Sequence, residues 1–229
     1  MAVIVLVHGG FWRGLYTKVL MRGLAAACVA RGWAAWNVEY RRLGPWGGGG
    51  GWPGTFADVA AAVDHLASLP GVDLGRVVTC GHSAGGHLAL WSAARGRLST
   101  GGPGADPIVT PRAAVSLAGI PDLARAAALG LGSGAAEELL GGSPVQVPDR
   151  YRSASPRELL PLGVPQVLVH GLADTVVPPA MSEDYVRAAA SLGDDAQYVA
   201  LTGVGHREVI DRDGVAWREA ADRVEAVLG

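Results

Sequence analysis

Two cysteines, Cys28 and Cys80, occur in 229 residues. They are too few for a disulfide scaffold or a zinc ribbon, which makes a reduced, intracellular setting the expectation. Charged side chains are also sparse, at 17%, and 19 basic against 21 acidic groups leave a net charge of −2. That balance lacks the basic surplus that attracts nucleic acid or an anionic membrane. No apolar run reaches the roughly 18 residues of a transmembrane helix. The opening Met1–Val7 has no basic n-region, and it yields to His8-Gly9-Gly10 too soon for a signal peptide. A cytoplasmic protein without membrane or nucleic-acid partners is expected. No H-E-x-x-H occurs, and His82 and His87 are badly spaced for one helix face, so no metal or cofactor is expected.

Hydrophobic residues, by contrast, reach 49%. The length suits one domain over residues 1–229 with a single sizeable core. Six short apolar runs read as buried strands of a mostly parallel sheet: Val3–Val7, Ala34–Glu39, Val77–Cys80, Ala113–Leu117, Gln166–His170 and Gln197–Leu201. Helical patterns alternate with them, the signature of an α/β fold. One carries Leu20, Leu24, Ala27 and Cys28 and stops at Gly32; another places Phe56, Val59, Val63 and Leu66 on one face, with Thr55 and Asp58 as a capping box. Further helices are read over Ala84–Ala94, Pro179–Leu192 and Gly214–Leu228. Gly47–Gly51 reads as a low-complexity loop, with a mobile flap near the pocket as the alternative. Residues 120–162 read as a small cap-like insertion over the carboxyl edge of the sheet, where open α/β sheets bind ligands.

Gly81-His82-Ser83-Ala84-Gly85 follows a strand and opens a helix, the context a G-x-S-x-G nucleophile turn requires. Small neighbours let a serine occupy so tight a turn, which lifts its hydroxyl clear of the sheet. Serine is a weak nucleophile at neutral pH and needs a base, itself oriented by an acid. Of six histidines, only His206 lies in a glycine-bearing loop between the last strand and last helix. The other five read as structural: His65 solvated, His82 and His87 at the turn and its helix, His8 and His170 bracing loops at strand ends. Asp174, directly after the strand Gln166–His170, is the acid in the order Ser…Asp…His; Glu208 and Asp211 are fallbacks. Gly9 and Gly10, with the amide of Ala84, would form an oxyanion hole, each donor being worth about 3 kcal/mol.

Together these residues resemble the esterase/lipase group of α/β-hydrolases that carries an HGG oxyanion motif, including hormone-sensitive-lipase-like esterases and arylformamidases. The likeness spans nearly the whole chain: His8-Gly9-Gly10, Glu39-Tyr40-Arg41-Arg42, Gly81–Gly86, and the Asp174 and His206 loops. It implies an α/β-hydrolase fold with a six-stranded, mostly parallel sheet flanked by helices. It also implies Ser83 as nucleophile, His206 as general base and then acid, and Asp174 as orienting carboxylate. His8–Trp12 is closest to the arylformamidase form of the motif. Such hydrolases usually have two strands before the one ending in HGG. A sheet lacking these is expected here, with 34–39 at its edge under a dimer contact or a covering segment. The expected activity is hydrolysis of small or medium carboxylic esters through an acyl-enzyme. Two alternatives stay open: N-formyl arylamide hydrolysis, and a non-catalytic binding protein on a hydrolase scaffold. Phe11, Trp12, Trp52 and Ile120 are candidate pocket residues.

Overall fold

Val3–Val7 is apolar at every position because both faces of the strand it forms are covered. Val3, Val5 and Val7 face one core of 36 buried residues; Ile4 and Leu6 face a second of 22. The computed structural model describes residues 1–229. Its strands are β1 (Val3–Val7), β2 (Ala34–Val38), β3 (Val77–His82), β4 (Ala113–Leu117), β5 (Gln166–Gly171) and β6 (Ala196–Leu201). They form one sheet in the order β2-β1-β3-β4-β5-β6, with every pair parallel. All the strand ends that bear candidate residues therefore open on the same edge. The sheet places β2 at one margin, where the sequence put residues 34–39.

Two helices cover one face: α1 (Arg22–Ala30) contributes Leu24 and Cys28, and α8 (Val215–Leu228) contributes Trp217, Ala220, Ala221 and Val224. The other face is covered by α2 (Gly54–Asp64), α3 (Ala84–Ala94) and, past the helices described next, Met181 and Tyr185 of a helix over Ala180–Ser191. All eleven residues of α3 are buried, as a composition of Gly, Ala, Leu and Trp interrupted only by His87 and Ser92 demands. Each of its large side chains, such as Leu88, Leu90 and Trp91, stabilises the fold by roughly 1.5–3 kcal/mol. No helix is long and apolar enough to cross a membrane.

Between β4 and β5 the chain forms α4 (Leu123–Ala128), α5 (Ala135–Leu140) and α6 (Pro148–Ala154); α7 (Ala180–Ser191) follows β5. The α4–α6 segment leans on the loop after β1 and on α3. Arg13 reaches Gly132 O at 2.7 Å and Glu138 at 2.9 Å, and the Trp91 indole donates to Ser153 O at 3.0 Å. It stands beside the candidate site as a buttress, and no residue from 120–162 lines the cavity at Ser83.

One local expectation needs correction. Thr55 and Asp58 do not form a capping box, because both are taken by Arg41. The Thr55 hydroxyl donates to Arg41 O at 2.6 Å, and Asp58 accepts from the Arg41 side chain at 2.7–2.8 Å and from its backbone N–H at 2.8 Å. Gly47–Gly51, read as a low-complexity loop, is a turn pressed onto the preceding segment, and none of its residues lines the cavity at Ser83. A Cβ at Gly47 would lie 1.9 Å from Arg42 O, and one at Gly50 2.4 Å from the Arg41 carbonyl. Gly47 and Gly50 serve this close backbone approach, whereas Gly48, Gly49 and Gly51 supply positive φ of 77°, 75° and 107°.

Candidate active site

Ser83 sits at φ 56° and ψ −122°, a region that costs a non-glycine residue about 1–3 kcal/mol and persists only where surroundings force it. The surroundings do. A Cβ at Gly81 would meet Gly85 O at 2.0 Å, and one at Gly85 would meet Val7 O at 2.0 Å. The turn is thus clamped between β1 and α3, while Ser83 N–H donates to Leu117 O at 2.9 Å. Ala84 begins α3, so its N–H lacks an intrahelical partner and points with the helix's positive end toward the site.

The loop after β5 carries Asp174, whose carboxylate is fully buried. Its Oδ1 accepts from Val176 N–H at 2.8 Å and Val177 N–H at 2.9 Å. Its Oδ2 receives His206 Nδ1 at 2.6 Å and His170 Nε2 at 3.1 Å. Burial alone would raise the Asp174 carboxyl; the hydrogen bonds from His170, His206 and Val177 outweigh it and hold the group well below the usual carboxylate range. Because that oxygen can only accept, His206 carries its proton on Nδ1, which leaves Nε2 with a free lone pair. Ser83 and His206 line the same cavity of about 410 Å³.

The loop after β1 closes a third side. A Cβ at Gly9 would touch His82 O at 2.7 Å and Ser83 Cβ at 2.9 Å, so glycine is required for the loop to cross the turn. Gly10 has φ 117° and lines the cavity; Gly9 lies beneath it. None of Gly9, Gly10 and Phe11 gives its N–H to another backbone group. His8 braces this loop from behind. Its ring lies 2.9 Å from Glu39 Oε1 and 2.8 Å from Gly9 O, and it stacks on Tyr40 at 4.4 Å.

Of the four candidate pocket residues, the structure places only Phe11 in the cavity wall. Trp12 is 1% exposed and donates from Nε1 to His87 Nδ1 at 3.2 Å. Ile120 is wholly buried, and Trp52 packs edge-on against Phe56 at 5.1 Å. Trp12 and Ile120 belong to the core and half-buried Trp52 packs against it, because burying so large an apolar surface outweighs leaving it at a solvent-filled wall. The wall is instead completed by Tyr16, Leu20, Thr175, Val176, Arg207 and Glu208. Leu20 shares the helical pattern of Leu24, Ala27 and Cys28 yet faces the cavity from a short turn ahead of α1; no periodic pattern marks the others, whose only signal is nearness in sequence to Gly10, Asp174 and His206. Two histidines read as structural also reach the site. His82 donates from Nε2 to His206 O at 2.9 Å, its ring 4.7 Å from that of His206. Burial pushes its pKa down to about 3, so it stays neutral. The other is His170, described above.

Comparison with known proteins follows the same lines. A family model, BD-FAE, matches residues 1–188. Similar solved structures include a truncated form of a carbohydrate esterase from gut microbiota, with a TM-score of 0.82 at 21% identity, covering 99% of this chain and 85% of that one. An esterase from the Planctomycetes species Thermogutta terrifontis, solved with propionate, has a TM-score of 0.78 at 24% identity over 100% and 84%. An acetyl ester-xyloside bifunctional hydrolase from Caldicellulosiruptor lactoaceticus has a TM-score of 0.72 at 20% identity over 100% and 79%. No curated protein matches. The chain belongs to the BD-FAE family, and its fold is that of the α/β-hydrolase esterases.

Proposed function

We propose that this protein is a serine hydrolase that cleaves small or medium carboxylic esters through an acyl-enzyme on Ser83. The observation that carries the reading is the 2.6 Å contact between Asp174 and His206 beside a strained serine in one cavity. His206 Nε2 takes the Ser83 proton as Oγ attacks the carbonyl carbon. The carbonyl oxygen, now negative, is met by the free N–H groups of Gly9 and Gly10 with that of Ala84, where each donor is worth about 3 kcal/mol. His206 then gives the proton to the departing alkoxide, and the alcohol leaves. Water adds to the acyl-enzyme by the same steps in reverse, releasing the acid and restoring Ser83. Asp174 stays ionised throughout and stabilises the imidazolium.

Acetylated sugars belong in the first substrate panel, because two of the similar structures are a carbohydrate esterase and an acetyl ester-xyloside hydrolase. The arylamide alternative drew on His8–Trp12, and Trp12 lies in the core; nothing in the cavity favours an arylamide over an ester. The test is turnover of p-nitrophenyl acetate, butyrate and a longer ester, an acetylated xyloside and an N-formyl arylamine, with wild type against Ser83→Ala. Ester turnover that drops by at least about 10⁴-fold in Ser83→Ala is expected. Turnover unchanged by that substitution, or none with any substrate, would overturn the reading and favour a binding protein.

A further inference from the structure

The Asp174–His206 pair is one segment of a longer buried chain. His170 is wholly buried at the end of β5, and both its ring nitrogens are occupied. Nε2 faces two oxygens, Asp174 Oδ2 at 3.1 Å and Val177 O at 3.0 Å; Nδ1 faces Ser182 Oγ of α7 at 2.7 Å. A carboxylate and a carbonyl can only accept, so the proton must be on Nε2. Nδ1 is then an acceptor, and the Ser182 hydroxyl donates to it. The tautomer is set by this geometry. Asp174 Oδ2, the same oxygen that receives His206 Nδ1, thus carries a second imidazole N–H.

We propose that His170 is a positioning residue for the hydrolysis, which draws charge from Asp174 Oδ2 and so lowers the basicity that Asp174 confers on His206. The inference rests on the serine-hydrolase reading above. Asp174 does not need His170 to stay in place, since Oδ1 is fixed by two backbone N–H groups. Loss of His170 therefore acts through charge more than through orientation. A carboxylate stripped of one donor attracts the imidazolium more strongly, and its partner is protonated at higher pH. The other titratable or charged groups around His206 are the His82 ring on the β3 side, Tyr16 beyond β1, and Arg207 and Glu208 on its own loop. None of them touches His170. The hydrogen bonds that hold the Asp174 carboxyl down include that from His170 as the first of the lowering contributions.

The experiment is the pH profile of kcat/KM for p-nitrophenyl acetate in wild type, His170→Phe and His170→Gln, with Ser83→Ala as blank. The acid limb of His170→Phe should move up by about 0.5 pH unit. kcat near neutrality should fall by no more than about 3-fold, the most a 0.5-unit shift of the limb can produce, with KM within about 2-fold, as expected of a group that acts only through another. His170→Gln, which retains an N–H near the Nε2 position, should return the limb toward wild type. A limb that stays put, or moves down, in folded His170→Phe would overturn the proposal. If His170→Phe fails to fold, nitrogen-15 spectra of histidine-labelled wild type decide, with His170→Gln assigning the resonance. A ring protonated at Nε2 is expected, and one protonated at Nδ1 alone would overturn it. Inactive wild type, or Ser83→Ala that keeps full turnover, would sink the hydrolase reading, while the spectra would still judge the His170 bond.

Discussion

Replacing Gly85 by alanine tests how tightly the nucleophile turn is held against the first strand. The new Cβ would lie 2.0 Å from Val7 O and 2.6 Å from His8 O. Nonbonded carbon settles at about 3.5 Å, so the first turn of α3 and the end of β1 must separate by about 1 Å or more. The overpacking should cost about 1–3 kcal/mol, a fall in Tm of about 2–10 °C for a domain of this size. The catalytic loss should be larger in proportion. β1 leads into Gly9 and Gly10, while Ser83 and Ala84 ride on α3, so separation pulls the nucleophile from its donors. A misplacement of about 1 Å lowers rate by about 10²-fold. Thermal melts, kcat/KM for p-nitrophenyl acetate and titration with a fluorophosphonate would read both effects. Gly96→Ala is the control, since nothing lies within 4 Å of the Cβ it adds. Gly85→Ala that melts and turns over like Gly96→Ala would refute the reasoning.

Acid should destabilise the fold early. His82 and His87 have pKa values depressed by burial from 6.5 to about 3 and about 4. The unfolded chain thus binds more protons than the folded one below about pH 6.5, and stability falls as pH drops from there toward 4. Asp174, also depressed, adds to the loss below the ordinary carboxylate range. Melts between pH 7 and 4 should show this, with a shallower slope in His87→Gln; equal Tm at pH 7 and 4.5 would contradict it. Phe11→Ala should raise KM several-fold with little change in Tm, whereas Trp52→Ala should lower stability by about 2 kcal/mol and leave KM alone; the opposite pattern would return Trp52 to the pocket. Burial raises the Cys28 thiol to about 12 and the Cys80 thiol further, so neither should react with Ellman's reagent at pH 8 until denaturant is added.

The sheet was legible because a strand buried on both faces writes itself as an unbroken apolar run, as in Val3–Val7 and Val77–Cys80. The loops that carry Ser83, Asp174 and His206 were legible for a related reason, since close backbone approach leaves glycine in the sequence. The cavity wall was not. Tyr16 and Val176 are exposed residues on loops, where neither period 2 nor period 3.6 applies, and Leu20 carries the helical period but sits on a short turn before α1 that faces the cavity. Trp12 misled because an aromatic beside a candidate oxyanion loop serves the core as readily as a ligand, and Trp52 because the glycine turn it follows lies away from the cavity. His170 illustrates a subtler limit. Its reading as a brace bonded to backbone holds for Val177 O, but no sequence pattern shows that the same nitrogen also reaches Asp174. Thr55 and Asp58 matched a helix-capping pattern, yet Arg41 takes both: its backbone carbonyl accepts from the Thr55 hydroxyl, and its guanidinium gives Asp58 a charged partner.

The parallel sheet has a consequence for how activity appears during folding. Its candidate groups come from the ends of β1, β3, β5 and β6, and the His82–His206 contact joins residues 124 apart. Parallel neighbours require long crossovers, so none of these meetings is local, and chains dominated by such pairings close slowly. A partly folded chain can hold the strained Ser83 turn against β1 and still lack its base, because His206 follows β6, the strand at the far margin. On the serine-hydrolase reading, appearance of fluorophosphonate reactivity during refolding would therefore time the docking of that last strand, making Ser83 a built-in clock for completion of the sheet.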